Sequence, residues 1–96
     1  MNTTEISNQL RSTLPLLRQQ YHIKSLSLFG SYVRNEQRPD SDLDLLVTFQ
    51  EEPTLLQFVE LENKLSDILG VKVDLVMSDS LKPAIGAVIL KEAIPV

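Results

Sequence analysis

The chain has 96 residues, 43% of them hydrophobic, which suits one domain over residues 1–96 with a single modest core. Its formal net charge is -4 and it has no cysteine, so disulfides and thiolate metal sites are excluded and a basic, nucleic-acid-gripping surface is not expected. No apolar stretch reaches the roughly 18–20 residues of a membrane helix, and the opening MNTTEISNQL lacks the regions of a secretory signal, so a cytoplasmic protein without a membrane partner is expected.

Ile6, Leu10, Leu14, Leu17 and Tyr21 recur at spacings of three and four over residues 3–21, which is one face of a helix. Pro15 interrupts that face and predicts either a kink or two short helices, the second capped by Thr13. SLSLFG (25–30) alternates as a strand ending at Gly30. LDLLVTF (43–49) reads as a second strand, with Leu43, Leu45, Val47 and Phe49 on one face and Asp44, Leu46 and Thr48 on the other. The helix over 54–70 starts at Pro53 and Thr54, stops at Gly70, and carries Phe58, Leu61, Leu65 and Ile68 as its core stripe. VKVDLVM (71–77) gives a third strand, 81–93 a last helix weakened by Gly86, and IPV an edge strand. Strands alternating with helices predict an α/β fold, a small sheet with helices packed mainly on one face.

The stretch GSYVRNEQRPDSDLDLLV places chemistry at two strand ends. A strand followed by Gly30-Ser31 and a short helix exposes backbone N–H groups beside a hydroxyl, which suits phosphate; the same residues also read as a glycine turn with a serine N-cap. Asp42 and Asp44, two apart in a strand, aim their carboxylates at one spot, with Cα atoms roughly 6.5 Å apart. Asp74 shares a face with Lys72 and joins them if the 71–77 strand lies beside 43–49. Three converging carboxylates repel one another unless a cation compensates, and hard oxygen ligands suit magnesium. Two such ions would clamp an in-line phosphoryl displacement. Asp40, after Pro39, reads as a turn residue. Asp40, Asp42, Asp44 and Glu51 also fall on positions of a calcium loop, but Leu45 stands where that loop needs glycine, and the segment is β-like.

Gly-Ser, ten residues, then Asp-Leu-Asp resembles the signature of the DNA polymerase β-like nucleotidyltransferases. With SLFGSYVR…RPDSDLDLLV and the small size, the chain is most similar to the minimal nucleotidyltransferases, the antitoxins paired with HEPN-domain toxins in type VII-like systems. The resemblance runs from about residue 14 to the C-terminus. It implies a polymerase β-like core in which Gly30 and Ser31 hold the triphosphate of ATP. It also implies that Asp42 and Asp44 bind Mg2+, and that Asp74 completes the metal site and serves as general base. Many relatives read Gly-Ser-x-x-Arg-Gly; here Arg34 matches, as a phosphate ligand or a solvent-facing arginine, while Asn35 replaces the glycine and tolerates a left-handed turn.

The family resemblance further implies transfer of AMP from ATP to a tyrosine of a HEPN ribonuclease, in a hetero-oligomer that neutralises the toxin. At 96 residues the chain is not expected to add an acceptor-holding domain, and its acidic balance disfavours RNA or DNA as acceptor. A non-catalytic antitoxin that works by binding alone is the alternative, against which the intact Gly30, Ser31, Asp42, Asp44 and Asp74 weigh. Transfer to a small molecule such as an aminoglycoside would need a second domain. The HEPN ribonuclease pattern itself is missed, since Arg18 and His22 are too closely spaced. Tyr21 is expected in the core, and Tyr32 either stacks on a base or packs.

Overall fold

The computed structural model describes residues 2–96. Helix α1 spans Thr3–Tyr21 and starts where Asn2 Oδ1 accepts the Glu5 N–H at 2.9 Å. Pro15 lies inside it, so the alternative of two short helices does not occur and Thr13 is not a cap. The proline removes only the bond to the Arg11 carbonyl. Leu10 and Leu14 before it and Leu17 after it are buried in one core, and that shared burial keeps both halves in one helix. Thr13 donates instead to the Gln9 carbonyl at 3.0 Å. The helix ends at His22, which adopts a left-handed φ of 57°.

Strand β1 (Ile23–Phe29) begins before the alternation of 25–30 because its register slips between Ile23 and Ser25. That bulge lets Ile23 and Leu26, three apart, both face the core. Strand β2 (Leu43–Phe49) runs antiparallel to β1. Helix α2 (Leu55–Leu69) opens with a reciprocal capping box between Thr54 and Gln57 and closes at Gly70, whose φ of 69° suits a residue without Cβ. Its stripe is Leu61, Leu65 and Leu69, with Phe58 and Ile68 half-buried at the sides. Strand β3 (Val73–Met77) pairs parallel to β2. A short 3-10 turn, Ser78–Ser80, leads to α3 (Pro83–Glu92), which starts later than expected because Pro83 serves as its first residue. Strand β4 (Ile94–Pro95) then pairs with Ser27 and Leu28 of β1.

The sheet order is β3-β2-β1-β4, a mixed sheet. Leu26, Leu28, Leu43, Leu45, Val47, Val73 and Leu75 meet the leucines of α1 and α2 in one core. The pleat sends Asp44 and Asp74 to the opposite face. As an exposed edge, β3 would leave outward N–H groups unpaired, but α2 covers them. Ser66 Oγ accepts from Val73 N–H at 3.0 Å and Glu62 Oε2 from Leu75 N–H at 2.9 Å.

Pro15 is exposed, and the helix continues through it. Pro15→Ala should therefore restore a bond to Arg11 and raise stability in urea unfolding by about 1–3 kcal/mol. A loss of stability would mean that the helix bends at Pro15 and that the proline fits the bend.

Candidate active site

Beyond Phe29, the chain turns at Gly30, whose φ is 82°. The Gly30 carbonyl accepts from Val33 N–H at 3.1 Å and from Arg34 N–H at 3.2 Å, and Glu36 N–H reaches back to the Ser31 carbonyl at 2.9 Å. Asn35 takes φ 59°, so it supplies the left-handed step of this turn without a glycine. The segment from Ser31 is thus a tight turn, not the short helix expected from the sequence. Its closing bonds are donated by residues after Tyr32, outside the Gly30-Ser31 step itself.

Gly30 is required by its neighbour as well as by its dihedral. Phe29 pairs with Asp44 in the β1–β2 register, and a Cβ on Gly30 would overlap Asp44 Oδ2 and stand 2.9 Å from Asp44 Cγ. The turn is therefore seated directly on the Asp44 carboxylate. Across the sheet, Asp44 lies opposite Asp74, as expected if the two strands were neighbours. Asp42 lies just before β2, and its Oδ2 is 3.8 Å from Lys72 Nζ. Asp40 sits in a turn over 38–41, where Ser41 N–H donates to the Arg38 carbonyl at 2.9 Å and Arg38 N–H to Ser41 Oγ at 2.8 Å. It belongs to the turn and not to the paired aspartates.

Asp44 feels this arrangement most. Its pKa is raised from 3.8 to about 6, chiefly by burial, then by the charges of Asp74 and Asp42 and a hydrogen bond with Asp74, with Arg34 opposing weakly. Arg34 itself is engaged elsewhere: Nε meets Glu36 Oε2 at 3.1 Å and Nη1 meets Glu92 Oε1 at 2.6 Å. These partners raise the Arg34 pKa, Glu36 foremost. Tyr32 is only 8% exposed and belongs to the core, so its packing role is the one realised.

Among the described residues, no three of His, Cys, Asp and Glu form a ready-made metal cage. The donor chemistry still fits a hard cation: Asp44 and Asp74 face each other, Asp42 adjoins, and magnesium is typically held by one or two carboxylates with substrate phosphates completing the shell. A hollow of about 290 Å³ lined by Tyr32, Asp40, Asp42 and Lys72 opens beside Asp42, and neither Asp44 nor Asp74 lines it. A second, of about 240 Å³, lies at the far ends of β2 and β3 and contains none of these residues. Sequence reasoning placed Lys72 on the Asp74 face but not opposite Asp42, because the strand register is invisible in one dimension. The Arg34–Glu92 contact, bridging residues far apart in the chain, left no signal.

Without divalent ions, an NMR titration of Asp44 should show a midpoint near 6, moved down by Asp74→Asn. Because the folded pKa is raised, the protonated form favours folding. That contribution is complete below 3.8 and is lost as the pH rises through about 6. A midpoint near 3.8 would contradict the burial and crowding described above.

The nucleotidyltransferase domain family model matches residues 10–96. The protein adenylyltransferase MntA of Thermococcus cleftensis is 46% identical over 90 residues, 94% of this chain and 91% of the relative. A Methanocaldococcus jannaschii chain provisionally named a protein adenylyltransferase is 51% identical over 79 residues, 82% of this chain and 81% of its own. Among solved structures, one provisionally described as a minimal nucleotidyltransferase superposes with a TM-score of 0.84 at 38% identity, covering 100% of this chain and 97% of that one. A toxin–antitoxin complex with AMP-PNP gives 0.71 at 26% identity, covering 99% and 72%. The carboxylate pair, the Gly30 turn seated on it and these similarities lead to one assignment: the chain is a nucleotidyltransferase and belongs to the nucleotidyltransferase domain family, among its minimal members.

Proposed function

We propose that this protein is an antitoxin that transfers AMP from ATP to a tyrosine hydroxyl of a HEPN ribonuclease toxin, and so silences it. The observation that carries the reading is Asp44 opposite Asp74 on parallel strands, with the Gly30 turn packed on the Asp44 carboxylate. The adenylyltransferase name of the Thermococcus relative and the AMP-PNP complex of a related toxin–antitoxin pair support the nucleotide and the partner. In this reading, residues 1–96 form one catalytic unit of a cytoplasmic hetero-oligomer and the partner brings the acceptor. No helix among the described residues is long and apolar enough to cross a membrane.

Gly30 and Ser31 hold the triphosphate against the carboxylate face, and Arg34 contributes if it leaves Glu36 and Glu92. Magnesium at Asp42, Asp44 and Asp74, two ions in the full arrangement, would neutralise charge on the attacked and leaving phosphate oxygens. Asp74, the most exposed of the three, faces the incoming acceptor and takes its hydroxyl proton. The acceptor oxygen bonds to the α-phosphorus as the bond from that phosphorus to pyrophosphate breaks. Asp44 is held by burial and by the Gly30 backbone, so its position is fixed before substrate arrives.

Incubated with the partner, ATP and magnesium, the wild-type chain should add whole AMP units to the partner's intact mass. Asp42→Asn with Asp44→Asn should reduce that rate by about a hundredfold or more and abolish neutralisation. Full neutralisation by the double variant, with no mass added by the wild type, would instead identify an antitoxin that acts by binding alone.

A further inference from the structure

Among the described residues, one cation pairs directly with the aspartates: Lys72, whose Nζ faces Asp42. The β2–β3 register sets Leu43 opposite Val73 and Asp44 opposite Asp74. Asp42 and Lys72 stand one residue before these strands, where Leu43 N–H donates to the Lys72 carbonyl at 2.8 Å, so they meet at the end of the sheet beside the aspartate pair. Their charged atoms are 3.8 Å apart, and among the described residues this is the only ion pair made by Asp42, Asp44 or Asp74.

The pair is loosely held. The Lys72 side chain is 81% exposed, so it swings at little cost, and a solvent-exposed pair of this kind contributes little to stability. A lysine ammonium is a compact charge on a flexible stem and meets phosphate as readily as carboxylate. A divalent ion at Asp42, carrying twice the charge, would displace it.

We propose that Lys72 is an exchangeable counter-ion: it neutralises Asp42 in the metal-free protein and moves to a phosphate of the bound nucleotide when a divalent ion takes Asp42. This rests on the assignment of Asp42 as a metal ligand. In the free protein Lys72 competes with the metal; in the nucleotide complex it holds substrate. Removing its charge therefore changes the two affinities in opposite directions, which neither a spectator nor a folding defect does.

Mn2+ binding to the free protein, read by electron paramagnetic resonance, should tighten about tenfold in Lys72→Met at low salt, as for a divalent ion roughly 6 Å from the lost charge in a water-like dielectric. Binding of α,β-methylene-ATP, which cannot release pyrophosphate, to protein already saturated with magnesium should weaken several-fold in the same variant and be restored by Lys72→Arg. Unchanged affinities for both, losses in both, or tighter Mn2+ with unchanged nucleotide affinity would each overturn the proposal. If Asp42→Asn leaves Mn2+ binding as in the wild type, the assignment of Asp42 as a ligand fails, and the exchange fails with it.

Discussion

Two carboxylates side by side on adjacent strands are the constraint around which this small fold is arranged. Asp44 and Asp74 occupy directly paired positions of β2 and β3, where neighbouring like charges destabilise a sheet. Partial burial of Asp44 adds to the strain and pushes its pKa to about 6. A core of this size gains nothing from such a pair. Its persistence next to a turn that only glycine can seat against Asp44 supports the proposal that stability is given up here for chemistry.

The remainder of the chain holds that pair in register. Parallel pairing needs a crossover, and α2 supplies it, fixed at one end by the Thr54 capping box and at the other by Gly70. Once docked, α2 also caps the outer edge of β3 through Glu62 and Ser66, which ties the strand carrying Asp74 to the helix that precedes it. On the other side, β1 delivers Gly30 to Asp44 through antiparallel pairing, and β4 pairs along its outer edge. Leucines of α1 and α2 fill the opposite face, so the aspartates sit on a rigid sheet and not on loops.

The strands, the α2 boundaries and the grouping of Asp44 with Asp74 were legible in the sequence because alternation, capping residues and glycine stops are local signals. Of the two alternatives at Pro15, two short helices do not occur, because a proline's local preference is readable whereas the buried leucines on both sides that hold one helix together are a tertiary fact. The turn after Gly30 was read as a helix for the opposite reason: Ser31 looks like a cap, but Asn35 turns left-handed within one turn and ends it. At the site, the residue types were visible and their pairing was not. Lys72 meets Asp42, and Arg34 meets Glu92, only because strand register and chain return bring them together.

The central claim is that a divalent cation compensates the Asp44–Asp74 pair. Thermal unfolding at pH 8, with magnesium and with a chelator, tests it most directly. Magnesium should raise the Tm of the wild type. Asp44→Asn should unfold above the wild type in chelator, because the repulsion is relieved, and should lose most of the response to magnesium. A wild-type Tm indifferent to magnesium, together with an Asp44→Asn variant no more stable in chelator, would contradict the account.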